Sequence, residues 1–65
     1  MTKKEAILAA RITGAQIRDA GRYITDGAKD LSKSEDWIAA AKRLGYQHAL
    51  AAAKAGWIER HKGLI

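Results

Sequence analysis

The 65-residue sequence contains no cysteine, proline, valine, phenylalanine or asparagine, and these absences narrow what the chain can be. Without cysteine there is no disulfide framework, no thiolate nucleophile and no mark of an oxidising compartment, so a cytoplasmic protein is the simplest expectation. The narrow alphabet leaves few strand-forming residues and favours helix. Long apolar runs are also missing, because charges interrupt the N-terminal segment every few positions, and neither a signal peptide nor a membrane-spanning helix is expected.

Bulky apolar side chains are scarce as well. Apart from Met1, the sequence offers seven Ile, five Leu, two Trp and two Tyr, whereas its fourteen Ala each bury little area. A domain of this size buries only about 60% of the surface that its unfolded chain exposes, so an isolated monomer is marginal. We therefore expect a single helical domain, residues 1–65, that self-associates as a homodimer.

Two capping-box patterns mark where helices begin. Thr2 stands three residues before Glu5, and Ser32 stands three residues before Glu35. In such a pair the first side chain accepts from a backbone N–H of the first turn, while the acidic side chain reaches back to the start of the helix. After Thr2, apolar or small residues recur at alternating steps of three and four. This pattern predicts a first helix that ends just before Gly27, with Gly27 in the left-handed conformation.

The second helical segment contains one ambiguous glycine. An apolar register runs by steps of four and three through Trp37, Ala41, Leu44, His48, Ala51, Ala55 and Ile58. The register passes Gly45 without slipping and so predicts one continuous helix. However, glycine costs about 1 kcal/mol relative to alanine inside a helix, and Gly45 would also suit a tight turn between two helices. The leading fold is therefore an all-α antiparallel two-helix hairpin that dimerises into a four-helix bundle, and the alternative is a three-helix domain with a break at Gly45.

Two further stripes are expected to pack against neighbours. Gly14 and Gly21 lie on the apolar stripe of the first helix, where missing side chains let another backbone approach. On the second segment, Tyr46, Leu50 and Trp57 form an apolar stripe on the side opposite the register described above. We expect a second copy of the chain to bury this stripe, although its aromatic rings beside basic residues would also suit stacking on nucleic-acid bases.

The first helix carries a stripe of one charge sign. On a helical wheel, a narrow arc of about 40° holds Lys4, Arg11, Arg18 and Arg22 with no acidic residue among them. Charged helix faces are usually only solvated, but arginine suits bidentate contact with phosphate or carboxylate, and the chain carries a net charge of +5. We therefore expect a small basic regulator that binds nucleic acid mainly through phosphate contacts, helped by Lys42 and Arg43. The alternative is an interaction module, such as an inhibitor or adaptor, that docks an acidic protein through the same stripe.

No pattern indicates catalysis or a bound cofactor. His48 and His61 are thirteen positions apart, and Glu35 and Asp36 lie where capping and the helix dipole explain acidic residues. We expect no enzyme activity, no metal site, no cofactor and no small-molecule substrate. Membrane binding is not expected either, because alanine-rich helix faces partition weakly into lipid.

The chain has two resemblances to nucleic-acid-binding architectures. Ala41 and the run Leu44-Gly45-Tyr46 resemble the centre of a helix-turn-helix, although Lys54 stands where that motif has a branched apolar residue. The chain length, the MTK-x-E opening and the two expected helices resemble the Rop-type RNA-binding helical hairpins, from which the chain departs in overall charge. Both resemblances imply a helical protein that binds nucleic acid, and neither assigns a binding residue.

Overall fold

The computed structural model describes residues 1–24 and 33–64, and these residues form three α-helices and no strand. Helix α1 spans Lys3–Asp19, α2 spans Glu35–Leu44 and α3 spans Tyr46–His61. Each of the three helices packs against the other two. The all-α class is confirmed. None of the helices in the described part of the chain has the length and apolar character needed to cross a membrane.

Helix α1 begins at the predicted capping box. The Thr2 hydroxyl accepts a hydrogen bond from the backbone N–H of Glu5 across 3.1 Å. In return, the Glu5 carboxylate accepts from the backbone N–H of Thr2 across 2.9 Å. Two N–H groups that the helix itself cannot satisfy are thus paired, which fixes the helix start.

The end of α1 differs from the prediction. The helix ends at Asp19 rather than just before Gly27, and Gly21 takes the left-handed conformation with φ 75°. The N–H groups of Gly21 and Arg22 donate to carbonyls three and five residues earlier, at 2.9 and 3.1 Å, which is the bond pair of a Schellman motif. Gly21 therefore ends a helix instead of packing within one. Gly27 lies outside the described residues.

The N-terminal cap of α2 is Ser34, whose hydroxyl accepts from the backbone N–H of Trp37 across 3.3 Å. The predicted capping box from Ser32 to Glu35 is wrong, because Glu35 is the first residue of the helix instead of the third. Ser32 itself lies outside the described residues. Both candidate serines stand before acidic residues in the first turn, where the positive end of the helix dipole favours negative charge, so the sequence pattern fits either start.

The chain turns at Gly45, and the prediction of one continuous second helix is wrong. Gly45 has φ 87° and ψ 146°, a region that is essentially closed to other residues. The imidazole Nδ1 of His48 lies 3.1 Å from the carbonyl oxygen of Leu44 and donates to it, so a carbonyl at the end of α2 is satisfied. The three-helix alternative therefore replaces the two-helix hairpin. A one-residue turn is also shorter than the three to four residues of a helix-turn-helix, so that resemblance does not hold. The resemblance to the Rop-type hairpins does not hold either, because those have two helices and the described residues form three.

The break rotates the buried face of α3 away from the register that begins at Trp37. Ala51 and Ala55 were expected on the packed side but are exposed, whereas Ala53 and Gly56 are buried. The buried apolar set of the described residues is Ala6, Ala10, Ile17, Ile24, Trp37, Ala40, Ala49 and Ala53. Only three of these eight side chains are bulky. Small residues thus let the helix backbones come close while contributing little apolar area of their own.

Helices α1 and α3 pack with their backbones in direct contact at two glycines. A Cβ atom added to Gly14 would overlap the backbone of Ala53, and one added to Gly56 would overlap the backbone of Arg11. The packing role predicted for Gly14 is confirmed. The same role is wrong for Gly21, since nothing lies within 4 Å of its Cβ position.

Candidate nucleic-acid interface

Helix α3 interrupts the basic stripe of α1. An Arg11 Nη2 donates to the carboxylate of Glu59 in a half-buried ion pair between residues 48 positions apart. Further along, the Arg18 Nε donates to Nδ1 of His61 across 3.2 Å. Lys4 is exposed near the start of the helix. The stripe is uniformly positive in the sequence of α1, but in the fold Glu59 of α3 places a negative charge beside Arg11.

Three rings stack beside the C-terminal end of α1. The Trp57 ring lies 5.3 Å from that of Tyr23 with an interplanar angle of 25°. It also lies 5.0 Å from the ring of His61, with an interplanar angle of 16°. Trp57 and His61 are four residues apart on α3, so the helix places their side chains on one face. Tyr23 comes from the segment that follows α1, and this residue is 64% exposed.

The turn at Gly21 positions this ring stack. By reversing the chain after α1, it brings the Arg22 carbonyl to the indole Nε1 of Trp57, which donates to it across 2.7 Å. Tyr23 then follows directly, and the next residue, Ile24, is buried in the core. Tyr23 thus lies between Arg22, whose carbonyl accepts from Trp57, and the buried Ile24, and this position brings the Tyr23 ring against Trp57.

Basic side chains border the rings on both sides. Two adjoining depressions, of about 260 and 240 Å³, share Tyr23 and Trp57. The first is also lined by Ile24, Lys54 and Ile58, and the second by Arg18, Gly21, Arg22 and His61. Among the residues that the structure describes, no carboxylate lines either depression. We call the rings of Tyr23, Trp57 and His61 together with Arg18, Arg22 and Lys54 the Trp57 platform.

The other predicted binding residues lie elsewhere. Lys42 and Arg43 are exposed in the last turn of α2 and line neither depression. Tyr46 packs edge-on against Trp37, with ring centroids 6.2 Å apart and an interplanar angle of 80°. Leu50 is half-buried against the core. The structure therefore brings Arg18, Arg22 and Trp57 together and separates them from the remaining predicted residues.

The binding residues predicted from the sequence do not include three members of the platform: Tyr23, Lys54 and His61. The spacing of Trp57 and His61 by four residues was a usable signal, since such pairs meet on a helix. Tyr23 carried no comparable signal, because its position depends on the helix ending at Gly21. Lys54 lies on the same helix face as Trp57 and precedes it by three residues, but a lysine at that spacing is also common on solvated faces.

The platform offers aromatic faces, two guanidinium groups and one ammonium group. Such groups stack on bases and bind phosphate, whereas metal chemistry needs a different set of ligands. Within the described residues there is no group of three or more His, Asp or Glu side chains that could hold a metal ion. No model of a known protein family matches the chain, and no curated protein or solved structure matches it.

Proposed function

We propose that this protein binds nucleic acid through the Trp57 platform. The observation that carries the proposal is the stack of three rings bordered by three cations, with no carboxylate among the described residues that line its two depressions. Guanidinium and ammonium groups bind phosphates, and aromatic faces stack on bases, so the two features suit one polyanionic ligand with planar bases. A net charge of +5 favours the approach of that ligand.

The arginines differ in their proposed roles. Arg22 is exposed beside the rings and contacts phosphate. Arg18 uses its Nε to hold His61, and the Nη groups of the same guanidinium donate to phosphate. Arg11 is not assigned to the ligand, because it lines neither of the two depressions beside the rings. The phosphate-binding surface is therefore one end of the predicted stripe rather than its full length.

The ring stack favours nucleic acid over an acidic protein partner. Both ligands would be attracted by the cations, and both attractions would weaken with salt. Only nucleic acid also presents regularly spaced planar bases that can lie on Tyr23, which is exposed and stacks on Trp57. Docking of an acidic protein surface remains the competing outcome of the experiment described next. A cytoplasmic location also stays a prediction.

The experiment is a titration of labelled oligonucleotides across a range of salt concentrations. Three phosphate contacts predict a slope of log affinity against log salt of about −2 to −3, since each contact contributes about −0.9 on duplex and −0.7 on single strands. A total lack of binding at low ionic strength contradicts the proposal. In that case, the alternative of an interaction module is tested by capture of acidic proteins.

We also propose that the protein is a homodimer, although not through the stripe predicted from the sequence. Leu50 already packs against the core, and Trp57 is already stacked between other rings of its own chain. Instead, α1 leaves Met1, Leu8 and Ile12 exposed at 53%, 55% and 47%. With three bulky side chains buried in the described core, burial of this surface by a second copy supplies apolar area that the monomer lacks.

The exposed face of α1 is suited to a two-fold axis. Its apolar centre is formed by Leu8 and Ile12, and its polar ends by Glu5 and Gln16, all lining a groove of about 280 Å³. Antiparallel pairing of two copies would place Leu8 of one against Ile12 of the other, and Glu5 against Gln16. The four-helix bundle predicted from the sequence needs two helices per chain, so the dimer proposed instead joins two three-helix units through α1.

A further inference from the structure

We infer that the Trp57 platform takes unpaired nucleotides in preference to duplex, an inference that rests on the nucleic-acid binding proposed above. The first observation is the exposure of Tyr23, a residue that is 64% accessible to solvent and whose ring stacks on Trp57. A base can add to such a ring only if its own face is free. Within a duplex the faces are covered by neighbouring base pairs, whereas an unpaired base presents them.

The second observation is that two contacts hold the Trp57 ring on which Tyr23 stacks. The Trp57 indole is held by its hydrogen bond to the Arg22 carbonyl and by its stack with His61. His61 is in turn held by the Arg18 Nε. Because these contacts hold the supporting rings in place, we expect little further ordering of the platform when a base binds to Tyr23.

The third observation is that cations lie on both sides of the exposed ring. Lys54 lines one depression, while Arg18 and Arg22 line the other, and Tyr23 and Trp57 belong to both. A single strand crossing the ring can therefore place a base on Tyr23 with phosphates held before and after it. OB folds, which combine a basic groove with aromatic stacking, have site sizes of about 4–16 nucleotides, and we expect a strand on this smaller surface to lie near the lower end of that range.

The fourth observation argues against a duplex-tracking helix. A helix that follows duplex phosphates needs a long positive face, but the Arg11 charge on α1 is paired with Glu59. The nearest cation towards the helix start is Lys4, seven positions earlier, about 10 Å along the helix axis. The cations beside the rings are therefore concentrated at one end of α1 instead of spread along it.

The test compares one single strand of about 12 nucleotides with the blunt duplex of the same sequence, using anisotropy for affinity and tryptophan fluorescence for location. Trp37 is 5% exposed, so quenching on binding reports on Trp57. We expect the single strand to bind at least about ten-fold more tightly than the duplex and to quench the fluorescence.

Substitutions then assign the preference to the ring. Tyr23→Leu should lower the affinity for the single strand much more than the affinity for the duplex and so remove most of the ten-fold preference, whereas Tyr23→Phe, which keeps an aromatic face, should retain it. The matched control is Tyr46→Leu, because Tyr46 is also exposed, at 56%, but lies at the corner of α2 and α3. Melting curves of all three variants confirm that each is folded.

The outcomes separate the inference from the proposed function. Equal affinity for single strand and duplex, unchanged by Tyr23→Leu, overturns the inference and leaves nucleic-acid binding in place. If Tyr23→Leu and Tyr46→Leu reduce the single-strand preference equally, the inference is also overturned, since the preference would then not depend on the ring of the Trp57 platform. Lack of binding to either probe at low ionic strength overturns both.

Discussion

Gly14 of α1 lies directly against the backbone of Ala53 of α3, with no space between them for a side chain. The same relationship recurs in reverse, with Gly56 of α3 against the backbone of Arg11. Each helix thus contributes one glycine to the contact. This close approach holds α3 beside α1, where Glu59 reaches the basic stripe and Trp57 reaches the end of the helix.

Alanine at either glycine should therefore destabilise the fold. Gly14→Ala and Gly56→Ala should each lower the free energy of unfolding by about 1–3 kcal/mol, because overpacking outweighs the gain of about 1 kcal/mol in helix propensity. Thermal and urea melts measure the effect. The control is Ala55→Leu, which adds more atoms next to Gly56 but on the exposed side of α3. If Gly14→Ala or Gly56→Ala were more stable than the wild type, the backbones of α1 and α3 could not be in contact there.

At the corner between α2 and α3, the sign of the stability change caused by Gly45→Ala distinguishes the three-helix fold from the two-helix hairpin. With φ 87° and ψ 146° at Gly45, Gly45→Ala should cost about 1–3 kcal/mol of stability. In a continuous helix the same change would instead add about 1 kcal/mol. Gly45→Asn should be as harmful as Gly45→Ala, since this region also excludes asparagine. If Gly45→Ala instead stabilised the protein, the result would contradict the turn at Gly45 and support the two-helix hairpin.

These glycines show how far the sequence alone could lead. The cap at Thr2 and Glu5 was predictable because both partners are local. The all-α class followed from composition and periodicity. By contrast, Gly45 was ambiguous, because the apolar register on its two sides happens to be continuous although the backbone is not. Glycine also has two uses on a helix stripe, close packing at Gly14 and termination at Gly21, and the pattern of small residues does not distinguish them.

The candidate site depended on contacts that periodicity does not contain. Charge along α1 predicted an uninterrupted basic face, but Glu59 is 48 residues away from Arg11 and enters only through the packing of α3. Likewise, Tyr23 meets Trp57 only because α1 ends early. Arg18, Arg22 and Trp57 could be named from the sequence, but the sequence could not show that the packing of α3 against α1 brings these three residues together.

The capping box predicts a pH-dependent contribution from Glu5. The pKa of Glu5 lies below its ordinary value of 4.5, chiefly because its carboxylate accepts from the backbone N–H of Thr2, with the Thr2 hydroxyl contributing next. A depressed folded pKa means that the stabilisation is present above the ordinary value and is lost as pH falls through the folded value. Glu5→Gln should therefore melt below the wild type at about pH 7 and together with it at about pH 2.5. A gap between the two melting temperatures that does not change with pH would contradict this.

The dimer proposal predicts a concentration-dependent mass. Sedimentation equilibrium should show a dimer at micromolar concentration, and the double variant Leu8→Gln with Ile12→Gln should shift it to monomer, since both exposed side chains would be buried by the second copy. Ile38→Gln is the control, because Ile38 is also exposed, at 38%, but lies on α2. A wild-type monomer throughout the micromolar range would refute the dimer.

The measurement that tests the central claim most directly compares two variants that lose the same charge. Arg22→Gln with Lys54→Gln removes two cations of the Trp57 platform, and Lys42→Gln with Arg43→Gln removes two exposed cations from α2. Oligonucleotide affinity should fall at least about ten-fold further in the platform variant, and its salt slope should shrink by about 1.4 on a single strand. Equal losses in the two variants would show that net charge alone drives binding, and would contradict a nucleic-acid site at the Trp57 platform.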